Sequence, residues 1–169
     1  MQTGPAGVSD AIAELYRRHH LALLRLAVLL CGDQHLGERI VSDAFAALRD
    51  RWSAPADDAA AMRYLRISVV NGVRARQRHP TIARRFLPAA EPEDRSAADY
   101  ATLIAEEHRE VIAALRPLRP RQREVLVLRY WSELSESDIA VTLGISPRSV
   151  NSAGSRGLNA LERQLRGSS

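Results

Sequence analysis

One short stretch narrows the possible folds more than any other: Ser135-Glu136-Ser137-Asp138, a brief apolar run, then Gly144-Ile145-Ser146-Pro147. Ser135, with Asp138 three residues on, has the form of a capping box and predicts a helix from Glu136 to Leu143. Gly144 supplies the left-handed backbone that other residues resist, so the chain turns sharply there. Ser146 then caps a second helix, with Pro147 in its first position and its end near Leu165. Ala140 is small enough for the two helices to approach closely, and Ile139, Leu143, Ile145 and Val150 point into a shared core. Two crossed helices joined this way form the helix-turn-helix pattern, whose second helix enters the major groove of DNA. An unrelated helical hairpin would not need both caps, the turn glycine and all the packing residues together.

On that reading Arg148, Ser149, Asn151, Ser152, Ser155 and Arg156 are the candidate DNA contacts. Arg148 and Arg156 suit phosphate or guanine, and Asn151 suits adenine. Arg119, Arg121 and Arg123 are placed to grip the flanking backbone. Gly154 and Gly157 each weaken their helix by about 1 kcal/mol relative to Ala. They predict close approach to another backbone, of DNA or of protein.

The rest of the chain also reads as helix. Aromatic residues are only 5% of the 169, so the cores must be built from Leu, Val, Ile and Ala, a palette suited to helix bundles. Ile12, Leu15, Leu23, Leu26 and Leu30 recur at helical spacing from Asp10 to Leu30, and Gly32 stops that helix. Asp33 caps a second helix with Leu36, Ile40, Val41, Ala44, Phe45 and Leu48 on one face. Residues 53–58 read as a loop. A third helix, from about Ala61 to His79, buries Leu65, Ile67, Val69, Val70 and Val73 and carries Arg63, Arg66, Arg74, Arg76 and Arg78 on its polar face. Pro80, Pro88 and Pro92 punctuate a linker. Helix returns from Asp99 to Leu115 and again from Pro120 to about Trp131. The expected fold is all-α: two small helical domains (residues 1–79 and 107–169) joined by a flexible acidic linker (80–106), the second containing the helix-turn-helix.

Charge follows the same division. All 24 basic residues are Arg, a bias that GC-rich codons explain and that also suits forked contacts to phosphate and guanine. Residues 1–60 carry a net charge of −2, and residues 61–88 carry 7 Arg and no acid. Residues 89–110 carry −5 and residues 111–169 carry +4. Two basic blocks around an acidic one predict two nucleic-acid footprints and a spacer.

Other classes fit poorly. A lone Cys31 excludes an internal disulfide and fits a reducing compartment. The apolar stretch from Leu21 to Cys31 is broken by Arg25 and falls short of the about 20 residues that span a bilayer. The first ten residues lack a signal-peptide pattern. A cytoplasmic protein without membrane insertion is expected. Cys31 and His35 have helical metal-ligand spacing, but Gly32 and Asp33 predict a break between them, so no metal is assigned. Glu106, Glu107, His108 and Glu110 read as a solvated helix face. With no phosphate-cradling Gly loop and no nucleophile motif, neither an enzyme nor a cofactor is expected.

The run from Leu115 to Tyr130, LRPLRPRQREVLVLRY, followed by the helix-turn-helix, resembles region four of bacterial sigma factors. Asp33 through Phe45, with Glu38, Val41, Asp43, Ala44 and Phe45 in place, resembles the polymerase-binding helix of region two. Tyr64-Leu65-Arg66 to Val70-Asn71 with its Arg-rich tail resembles the helix that recognises and melts the minus-ten element. Two such domains joined directly have the layout of the extracytoplasmic-function sigma factors. The resemblance implies core RNA polymerase (its β′ clamp helices and β flap) and promoter DNA as partners, and an anti-sigma factor, often at the membrane. It implies polymerase contacts through Asp33, Glu38, Arg39, Val41, Ser42, Asp43 and Phe45. It implies minus-ten contacts through Trp52, Arg63, Tyr64, Arg66, Asn71, Arg74, Arg76 and Arg78, with Trp52, the adjoining loop and Asn71 beside a flipped base. The helix-turn-helix contacts, with Arg121 and Arg123, would read the minus-thirty-five element.

Arg39 and Ser42 stand where the family usually has an acid and a Gln, Ala75 replaces a polar residue, and Asn151 replaces a frequent Lys. The first two imply weaker or altered contacts to core polymerase, and the last two imply a promoter preference away from the family's commonest sequences. A different class of reading is a stand-alone dimeric helix-turn-helix regulator that binds a palindrome without polymerase. The acid-free third helix argues for the first reading, since a dimerisation bundle needs no second nucleic-acid surface.

Overall fold

A computed structural model describes residues 5–51, 57–79 and 95–167. Among these the regular structure is all helix: α1 (Pro5–Cys31), α2 (Gln34–Arg51), α3 (Asp58–Arg78), α4 (Arg95–Glu107), α5 (Arg109–Leu115), α6 (Pro120–Tyr130), α7 (Glu136–Leu143) and α8 (Pro147–Gly167). Local chemistry sets most of the boundaries. Asp33 accepts the Leu36 N–H at 2.8 Å and starts α2. Asp57 accepts the Ala60 N–H at 2.6 Å, so α3 begins three residues earlier than the apolar period indicated. Pro5 opens α1, five residues ahead of the expected start, because proline suits a first helical turn. Gly144 adopts φ 65°, ψ 38°, and the Ile145 N–H closes back on the Ala140 carbonyl at 3.0 Å.

α1, α2 and α3 pack on one another around Leu23, Leu26, Ala27, Leu30, Ile40, Ala44, Leu65, Val69 and Val73. α6, α7 and α8 pack around Leu126, Leu128, Ile139, Leu143, Val150 and Ala153. The two sets are not separate cores. α1 lies against α5 and α6, α3 lies against α7, and the buried side chains form one continuous cluster.

α4 departs from the expected tether. The helix expected from Asp99 begins at Arg95 and, in place of a free acidic linker over 95–106, packs on α1 and α2. Ala101 and Ile104 are buried there, and Gln34 donates to the Thr102 hydroxyl at 3.1 Å. Tyr16 stacks on His20 at 4.5 Å and meets Phe45 edge-on, and His20 faces Tyr100 of α4. An apolar stripe every three or four residues buries a helix whatever charge its outer face carries. Residues 80–94 of the linker lie outside the described residues.

Cys31 ends α1 and donates its thiol to the Asp33 carbonyl at 3.2 Å. Burial pushes the thiol up from 9.0 to about 11. Because the thiolate is the nucleophile, alkylation of the native protein at pH 8 is expected to run roughly a hundredfold slower than for the unfolded chain. Timed iodoacetamide labelling followed by mass spectrometry checks this. Equal rates in native and unfolded protein would contradict the burial.

Candidate nucleic-acid interface

α8 is held at its base by Ser146, whose hydroxyl accepts the Ser149 N–H at 3.1 Å. Its inner arc is unusually thin. A Cβ on Gly157 would stand 2.9 Å from Leu126 Cδ1, and one on Gly154 would stand 2.6 Å from the Arg129 guanidinium. The close approach predicted from these two glycines is therefore to side chains of α6. On the outer arc Arg148, Ser149, Asn151, Ser152, Ser155 and Arg156 are all exposed. Arg156 also opens onto a groove of about 500 Å³ shared with Arg119 and Arg163, with no acid in its lining.

Asn151 is exposed but held. Its Nδ2 donates to Glu136 Oε1 at 2.7 Å, and Arg129 Nη2 donates to its Oδ1 at 3.5 Å. Arg121 is exposed and lies 3.5 Å from Glu124. Arg123 is not on a free surface. Its guanidinium donates to the carbonyls of Leu115, Arg116 and Leu118 and, across the junction, to Leu30 at 3.2 Å. These bonds close off the end of α1 and the turn before α6, so the expected backbone grip is replaced by a carbonyl cage.

The polar face of α3 divides in the same way. Arg63, Asn71 and Arg78 are exposed. Tyr64, Asn71 and Arg76 line an open hollow of about 460 Å³ between α2 and α3, and Arg76 pairs there with Asp43 at 2.7 Å. Arg66 faces a small hollow shared with Met62, Arg25 and Trp131, and burial lowers its pKa. Arg74 makes a forked pair with Glu124 of α6, Nε to Oε1 at 2.7 Å and Nη2 to Oε2 at 2.8 Å. Glu124 is only 6% exposed, and its hydrogen bonds raise the Arg74 pKa. Arg74 thus ties the first three helices to the last three. Trp52 lies outside the described residues.

On α2, Val41 and Phe45 are 4% and 6% exposed and belong to the core, where the 3.6-residue period places them beside Ile40, Ala44 and Leu48. Their expected contact with polymerase is corrected to a packing role. Asp33 is spent as a helix cap. Glu38 and Arg39 are half-buried, and burial raises the Glu38 pKa. Ser42 and Asp43 remain exposed on the outer edge.

The family model for Sigma-70, region 4, matches residues 108–161, which hold α6, the turn and most of α8. An RNA polymerase sigma-E factor of Streptomyces antibioticus is 33% identical over 158 residues, covering 90% of this chain and 83% of that protein. Sigma-E factors of Streptomyces avermitilis and Streptomyces coelicolor are each 32% identical over 158 residues and 90% of this chain, covering 83% and 84% of their own lengths. The chain belongs to the extracytoplasmic-function sigma factors.

Like other sigma factors it directs transcription, and the stand-alone regulator is not favoured. Among the described residues no helix of this sigma factor is long and apolar enough to cross a membrane. Reading the sequence missed Glu124, Glu136 and Arg129. The one available signal was Glu124, an acid directly before the Val125–Leu128 run that is buried whole. Tyr130 is 53% exposed, whereas Trp131 packs against the core.

Proposed function

We propose that this sigma factor binds core RNA polymerase through the outer edge of α2 (Ser42, Asp43 and the half-buried Glu38 and Arg39). On this reading α3 captures the melted minus-ten strand and α8 reads the minus-thirty-five element. The observation that carries it is the two-sided α8: an inner arc thinned by glycine against α6, and an outer arc of solvent-exposed Arg, Ser and Asn, residue types that contact base edges and phosphates. The hollow between α2 and α3 supports the strand-capture role, since opening a promoter requires a place for an unstacked base. Contacts to the β′ clamp helices and the β flap, action in the cytoplasm and control by an anti-sigma factor belong to the same proposal.

Run-off transcription of fragmented genomic DNA by core polymerase, with and without this protein, tests it. New starts sharing two spaced upstream elements are expected. Absence of both new starts and core binding would overturn the reading. The division of labour has its own test. Replacing Asn71 and Arg78 by Ala should remove permanganate-reactive thymines at the start site while leaving protection of the upstream duplex intact. Equal loss of both would place the two functions on one surface.

A further inference from the structure

The geometry points to Glu136, which lies outside the recognition helix, as the residue that fixes base preference at one upstream position by orienting Asn151 for adenine. This rests on α8 as the reader of the upstream element. Asn151 stands on the exposed arc of α8, yet its carboxamide is bound at both ends: Nδ2 to Glu136 Oε1 at 2.7 Å, Oδ1 to Arg129 Nη2 at 3.5 Å. Neither anchor is loose. Glu136 is the first residue of α7, directly after the Ser135 cap, so its backbone is fixed by that cap. Arg129 is half-buried at the end of α6 and crosses α8 over Gly154, where any larger residue would collide with its guanidinium.

The chemistry of the carboxamide then decides what it can read. Asn has two N–H donors and two lone pairs on its oxygen. Glu136 takes one donor and Arg129 one lone pair, leaving one of each. In the major groove adenine presents one acceptor, N7, and one donor, the N6 amine, which is the complementary pair. Guanine presents two acceptors, N7 and O6, and a carboxamide with one remaining N–H satisfies only one. Rotating the amide by half a turn does not help. That would set its oxygen against the Glu136 carboxylate and its NH₂ against the Arg129 guanidinium, leaving two like-facing pairs. Asn alone would tolerate either orientation; Glu136 removes one of them.

The experiment is transcription by reconstituted holoenzyme on a promoter library randomised across the upstream element, with wild-type protein and with Glu136→Gln, Glu136→Ala and Asn151→Ala. Wild type is expected to favour adenine at one position by roughly tenfold or more, the range of a good bidentate contact. Glu136→Gln offers both a donor and an acceptor, so position 136 accommodates either amide orientation and only the longer Arg129 contact, at 3.5 Å, still opposes the flip. It should erase most of the adenine-over-guanine preference at that position, leaving the other positions unchanged. Glu136→Ala should do the same. Retention of the preference in both Glu136 variants while Asn151→Ala abolishes it would overturn the inference, since Glu136 would then be structural only. No adenine preference that depends on Asn151 would overturn it as well. A wild-type holoenzyme with no base preference anywhere upstream would instead remove the assignment of α8 as reader, and the inference with it.

Discussion

Replacing Arg148 and Arg156 together by Ala should cost about 2–6 kcal/mol in upstream-element binding, taking each as a phosphate or guanine contact of ordinary strength. Binding would fall about thirtyfold or more. Both side chains are exposed and neither forms an ion pair among the described residues, so folding should be unaffected. Arg156 stands beside Arg119 and Arg163 in the basic groove, so its loss should also flatten the salt dependence by about one counterion. Mobility shifts of the holoenzyme across a salt series, alongside a melting curve, separate these effects. Unchanged affinity with an unchanged melt would place the DNA on another surface.

Glu124→Ala is the second large effect, and it falls on stability. Stripping one partner from a buried pair costs about 3–5 kcal/mol. Arg74 keeps 24% side-chain exposure, which sets the expectation near the lower end, about 3 kcal/mol. For a chain of this size that lowers the melting temperature by about 6–12 °C. Arg121 and Arg123 lie beside the same carboxylate, so its removal leaves three guanidinium groups without their nearest counter-charge. The companion measurement is a double-mutant cycle with Arg74→Met. Removing both partners eliminates the orphaned charge at Arg74, leaving only Arg121 and Arg123 without Glu124, and should recover much of the loss. Additive losses would mean that the pair does not couple the two halves.

What the sequence made legible was local. Ser135, Gly144, Ser146 and Pro147 act within a few residues of themselves, so their spacing specifies caps and a turn without reference to the rest of the fold. Helical periodicity likewise identified Ile40, Leu65 and Val69 as buried. It could not tell Arg74 from Arg78. Both sit on the polar face of one helix, and only docking of α6, 50 residues on, sends one to Glu124 and leaves the other in water. Arg123 escaped for the same reason, since its carbonyl partner on α1 lies 93 residues away. Val41 and Phe45 show the opposite limit. They were legible as core, and the resemblance also gave them a surface role that their burial does not accommodate. For α4 the helix from Asp99 was legible and its docking was not, because charge and proline describe its flanks whereas Ala101 and Ile104 decide where it lies.

The two glycines on the inner arc of α8 bear on how this chain can change over time. Most recognition helices carry packing and reading on adjacent side chains, so a substitution that alters one disturbs the other. Here the contact with α6 at positions 154 and 157 is made by the absence of a side chain, and little on the outer arc depends on what stands there. Arg148, Ser152 and Ser155 can therefore be exchanged with little penalty to the scaffold. New promoter sets lie within a few mutations, while Gly157, closed in by Leu126 and Gln122, is the position where drift is most restricted, and a side chain at 154 would first have to displace the Arg129 guanidinium.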